Sequence, residues 1–151
     1  MKKFLAITVL FLAFAAQGQS ITEKDLLGEW RIVKMEVEGV LVNFDTGEVK
    51  VVDPDVGNDN LEMIQSMVES GSADEIKEAK LFFKPGAMVD VHDGSSVQTV
   101  SYTLEDKVTS QVLTLNTPDP SGLEALLEDG FLKLVDAPEG ENRSVMYMVK
   151  K

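Results

Sequence analysis

The sequence predicts a mainly β protein, an antiparallel up-and-down β-barrel of about eight short strands with one short helical insertion. Three observations carry this expectation. Apolar and polar residues alternate in short stretches along most of the chain. The stretches are separated at hairpin spacing by turn dipeptides such as Glu38-Gly39, Pro85-Gly86 and Asp93-Gly94. Helical periodicity is confined to one polar region, residues 59–79. A composition of 44% hydrophobic and 26% charged residues is that of a folded chain with a core, not of a disordered acidic tail.

Residues 1–18 are expected to be a secretory signal peptide and residues 19–151 a single domain. Lys2 and Lys3 form a positive n-region, residues 4–14 are apolar, and Ala13, Ala15, Ala16 and Gly18 provide small residues for cleavage after Ala15 or Gly18. That apolar stretch is too short for a comfortable membrane span and no later one approaches the required length, so stable membrane insertion is not expected. The absence of cysteine rules out disulfides, thiolate metal sites and a Cys nucleophile. An exported domain without disulfides fits a bacterial periplasm or extracellular space, where the Asn142-Arg143-Ser144 sequon is accidental. The net charge of −12 repels nucleic-acid phosphates and anionic lipids alike, so no nucleic-acid partner is expected.

Thr22 and Asp25 have the spacing of a capping box and predict a brief helical turn before the first strand. Over residues 29–37, Trp30 and Ile32 fall on one face and Val33, Met35 and Val37 on the other, which predicts a bulge between Ile32 and Val33. Strands follow at 40–44 and 48–52, making a three-strand meander. Asp59 or Asn60 is expected to cap a helix with Leu61, Ile64, Met67 and Val68 on one side, ended by Gly71. One more helical turn fits 72–80, where Asp74 and Glu75 precede Lys77 and Lys80 in the order favoured by the helix dipole. Strands resume at 81–84, 87–92, 97–104 and 111–116, then at 131–135 and 144–149. Residues 123–128 fit either a helix face through Leu123, Leu126 and Leu127 or a strand face through Leu123, Ala125 and Leu127.

Leu27-Gly28-Glu29-Trp30, placed after a helical turn and at the start of the first strand, resembles the Gly-x-Trp motif of lipocalin-like proteins. Leu81-Phe82-Phe83-Lys84 before a Pro-Gly turn, Asp93-Gly94, Ser101-Tyr102-Thr103-Leu104 and a closing apolar strand are similar to bacterial lipocalin-like domains of the calycin type. The resemblance spans most of residues 21–151, and the family's Thr-Asp-Tyr element is absent. It implies an eight-stranded barrel with an open mouth, a cavity for small apolar molecules and no catalytic residues. It also implies that Trp30 closes one barrel end beneath a basic residue late in the chain. Lys150 lies where an antiparallel last strand would return to Trp30, and Arg143 would sit at the opposite end.

The candidate ligand-binding residues of the barrel interior are Trp30, Phe83, Val89, Val100, Tyr102, Leu113, Met146 and Met148, each of which is equally suited to ordinary core packing. Asp53, Asp55, Asn58, Asp59 and Asn60 gather oxygen ligands on one loop, but the spacing fails the EF-hand template and reads as a solvated acidic loop. Asp90 and His92 share a strand face at a spacing that suits two zinc ligands, yet His92 is the only histidine. Glu36 and Glu38 imitate a carboxylate pair, as solvated acids near a turn also do. Gly94-Ser95-Ser96 lacks the closing glycine of a nucleophile elbow. No catalytic residue, metal or cofactor is therefore expected.

The leading expectation is an exported, non-enzymatic binding domain that holds a small hydrophobic or amphipathic ligand in its barrel, with residues 60–79 near the mouth. The alternative is a solid barrel acting as a protein–protein interaction or inhibitor module, its partner unknown. A third reading, an enzyme using Asp90, His92 and a distant carboxylate, predicts that His92→Ala abolishes an activity without unfolding the chain.

Overall fold

The computed structural model describes residues 20–55, 58–136 and 143–151. The export segment expected at 1–18 and Asn142 of the sequon lie outside these residues. Helix α1 (Glu23–Leu26) leads into β1 (Gly28–Val37), β2 (Val40–Asn43) and β3 (Glu48–Val51). Helices α2 (Asn58–Glu69) and α3 (Ser72–Glu78) form the insertion. Seven strands complete the chain: β4 (Lys80–Lys84), β5 (Met88–His92), β6 (Val97–Asp106), β7 (Gln111–Leu115), β8 (Gly122–Glu128), β9 (Phe131–Asp136) and β10 (Ser144–Lys150).

All pairings are antiparallel, and β10 returns to β1 to close an eight-stranded barrel of β1 and β4–β10. Closure runs from Trp30 opposite Lys150 to Val37 opposite Ser144, with the register shift between Ile32 and Lys34 that the sequence pattern predicts. The β2–β3 hairpin is not a barrel stave. β1 forks: residues 28–31 pair with β4, whereas residues 34–37 pair with β2. The insertion explains the fork, because α2 and α3 carry the chain from β3 back to the start of β1 and pack on β1, β2 and β3.

Residues 123–128, ambiguous in sequence, lie within β8. The strand face wins because Leu123 and Ala125 point to the core and pair with Leu113 and Gln111 of β7. Asp59 and Asn60, expected as caps, lie inside α2, which starts at Asn58. Gly71 adopts φ +81 after α2, as a helix-terminating residue does. The predicted Thr22 box is present, with the Thr22 amide and hydroxyl both donating to Asp25 Oδ2. These bonds, the hydroxyl's foremost, hold the Asp25 carboxyl below the usual aspartate range.

Alternation along the staves fills the interior with Ile32, Phe83, Val89, Leu113, Leu132, Leu134 and Met148, all buried. Val89 and Leu132 are 0% exposed, so neither touches a space large enough for water.

Candidate functional site

The two barrel ends differ. At the end where β1 begins, residues 20–26 cross beneath the staves and bury Ile21 and Leu26. Ile21 N–H donates to Gln111 Oε1, and Gln111 Nε2 donates to Ile21 O at 3.0 Å and to Asp106 Oδ1 at 2.9 Å. Glu23 Oε1 accepts from Gly86 N–H at 2.7 Å, which ties α1 to the β4–β5 turn. Trp30 Nε1–H donates to Leu26 O at 2.6 Å, and the Lys150 ammonium lies 5.7 Å from the indole centroid. Arg143 lies at the other end, where its O accepts from Glu38 N–H. The basic residue over Trp30 is thus Lys150. Gly28 adopts φ +113, and a Cβ there would sit 3.1 Å from Lys150 Cε, so the lysine stem lies against bare backbone.

The opposite end presents partly buried apolar side chains on the inner face: Met35, Val37, Val91, Leu115, Leu123 and Met146. They come from five staves, each close to where its strand starts or stops at that end. These side chains pack against the buried core.

The eight interior residues singled out in the sequence all join this core. Trp30, Phe83, Val89, Val100, Tyr102, Leu113 and Met148 are buried, and Met146 alone is only partly buried. Tyr102 packs edge-on against Phe83 with centroids 5.2 Å apart. Its hydroxyl is buried with no hydrogen-bond partner among the described residues. Burial, followed by the nearby Glu23 charge, pushes the phenol pKa up.

The polar candidates lie elsewhere. Asp90 is on the outer wall, ion-paired with Lys84 and accepting from Thr99 Oγ1 at 2.6 Å. The Lys84 bond is the main cause holding its carboxyl below the usual range. His92 shares that outer face, and among the described residues no group of three His, Asp or Glu side chains has a metal-binding arrangement. Asp53 Oδ1 accepts from Asp55 N–H within its own loop, while Asp59 is in α2. Glu38 sits in the β1–β2 turn at φ +47, away from Glu36 on the strand beside Arg143.

One cleft among the described residues was not anticipated. It has a volume of about 470 Å³ and lies on the outer wall, between α3, the start of β4 and the β5–β6 turn. Asp93 fixes that turn, accepting from the amides and hydroxyls of both Ser95 and Ser96. These bonds hold the Asp93 carboxyl far below the usual aspartate range, the Ser96 amide contributing most. Gly94, at φ +92, lets the turn approach Glu78, whose Oε2 would be 3.2 Å from an added Cβ. The sequence signal for this cleft was weak because its residues come from four separate segments.

Comparison of the chain with protein-family models, curated proteins and solved structures gave no match. The architecture is a closed antiparallel eight-stranded barrel with residues 20–26 crossing one end.

Proposed function

We propose that the chain is an exported lipocalin-like binding domain without a catalytic role, which seats the apolar part of a small amphipathic molecule against the inward-facing apolar side chains at the end opposite Trp30. The observation that carries this reading is the asymmetry of the barrel: one end is sealed by α1, Gln111 and Trp30, while the inward-facing apolar side chains near the other are only partly buried. A buried core favours shallow seating over full engulfment. Removing those side chains from water on binding supplies the driving force, at about 25 cal/mol per Å² of apolar surface covered. The Gly-x-Trp motif, the helical turn before it and the late basic residue over the indole support the lipocalin-like assignment.

The test is titration of the folded protein with a medium-chain fatty alcohol, followed by calorimetry. Saturable binding is expected, weakened at least about tenfold in Leu115→Gln and in Met146→Gln, with the Trp30 emission maximum unchanged throughout. An absence of saturable binding, or binding by both variants as tight as that of the parent protein, would overturn the reading. Native mass spectrometry after incubation with a total lipid and metabolite extract would identify the natural ligand as an adduct of a few hundred daltons, on the order of the mass a pocket of this class holds.

A further inference from the structure

The cleft on the outer wall gathers positive charge on a negatively charged protein. Among the described residues, Arg31, Lys77, Lys80 and Lys151 line it, whereas only two acidic ones, Glu29 and Glu78, do so. Its floor is a cross-strand row. Arg31 of β1 lies opposite Lys80 of β4, and Lys80 lies opposite His92 of β5. Three basic side chains therefore stand side by side on adjacent strands, about 4.8 Å apart from strand to strand. Arg31 and Lys80, like charges directly opposite each other, oppose pairing.

The next row of the same wall is arranged differently, because there Asp90 is matched by Lys84 and Thr99. Compensation in the basic row comes only from its margins. Asp45 holds Arg31 through a two-point contact at 2.9 and 3.3 Å, and Glu29 is divided between Lys80 at 3.8 Å and Lys151 at 3.5 Å. Lys77 projects from α3 over the row and has no ion pair among the described residues. The turn at 93–96, held by Asp93, forms a fixed far wall.

We infer that this cleft binds an elongated small dianion, its anionic groups lying along the Arg31, Lys80 and His92 row and capped by Lys77. The row's length favours two anionic groups separated by a short spacer over one compact ion, and the volume of about 470 Å³ admits a molecule of metabolite size. An anion laid along the row would relieve the repulsion between strands, and Arg and Lys donors supply charge-assisted hydrogen bonds. The site is independent of the inward-facing apolar side chains, since it lies on the opposite face of the barrel wall.

The experiment is an amide NMR titration of the folded protein at constant ionic strength, with succinate, acetate and inorganic phosphate as separate probes. Saturable shifts at Lys77, Lys80, His92, Ser95 and Ser96 are expected with succinate, whose affinity should exceed that of acetate at least about fivefold. Succinate tighter than phosphate supports the spaced dianion, whereas phosphate equal to or tighter than succinate overturns it. Lys77→Gln, a change on an exposed helix face, should weaken succinate at least threefold, and Lys50→Gln, which removes the same charge from β3, should not. Equal effects of the two substitutions, or shifts that remain linear to tens of millimolar, on the order of non-specific screening, overturn the site.

Discussion

Tyr102 places a hydroxyl where the barrel offers it no partner among the described residues. A buried, unmatched hydroxyl costs about 1–3 kcal/mol relative to an apolar group of the same shape. Tyr102→Phe is therefore expected to leave stability unchanged or raise it by up to ~1 kcal/mol in urea unfolding. A loss of more than that would mean that the hydroxyl is bonded in solution, for example to an internal water. Gly28 makes the converse case. Its φ of +113 is strained for any L side chain, so Gly28→Ala should cost about 1–3 kcal/mol even though the Lys150 stem can yield. An unchanged unfolding midpoint would show that the backbone relaxes. Both residues were legible in sequence as types, Tyr as an interior candidate and Gly as companion to Trp30. The missing partner of one and the dihedral of the other depend on tertiary neighbours that no local pattern encodes.

At the scale of elements, the β5–β6 turn is held by one carboxylate. Asp93 accepts four hydrogen bonds, and its folded pKa is depressed below the ordinary aspartate value of 3.8. A depressed acid stabilises the native state fully above the unfolded pKa and loses that contribution as pH falls through the folded one. The stability difference between the parent protein and Asp93→Asn should accordingly be largest at neutral pH and shrink from about pH 4 downward. A constant difference between pH 7 and pH 2 in urea midpoints would sink this account. The N-terminal segment depends in the same way on Gln111, which serves both the N–H and the O of Ile21. Gln111→Ala should lower stability by about 1–3 kcal/mol and speed hydrogen exchange at Ile21, whereas unaltered exchange would show that packing of Ile21 and Leu26 alone holds the segment. Strand positions, the bulge and the capping box could be read from the sequence because each follows from local spacing. The fork of β1 could not. Which strand lies beside residues 34–37 is decided by how far α2 and α3 carry the chain, a long-range property.

Taken whole, the molecule is an acidic shell around a closed apolar interior. Its net charge of −12 repels itself, and the repulsion is relieved by counterions. The thermal midpoint is expected to rise by about 2–4 °C between 10 and 200 mM sodium chloride, on the order of a 1 kcal/mol stabilisation for a chain of this size. A flat or falling midpoint would indicate that local pairs such as Arg31 with Asp45, also weakened by salt, outweigh the global term. A barrel was expected because first and last strands both carry an apolar face, but its closure, with β10 paired to β1, emerged only from the structure. The outer cleft was not expected, because its charges converge only after the wall has curved and α3 has folded over it.

Trp30 stands where β1 meets both β4 and β10, with Leu26 beneath its nitrogen and Lys150 beside its face. It is also the chain's only tryptophan. The protein thus carries an internal optical clock for its own topology: indole emission changes when the two ends of the sheet meet. In stopped-flow refolding, the fluorescence trace times the joining of strands separated by almost the whole domain, while far-ultraviolet dichroism times the hairpins between them. If the dichroism is recovered first, the barrel is an open ribbon that curls shut, and the interval between the two signals is the lifetime of that ribbon.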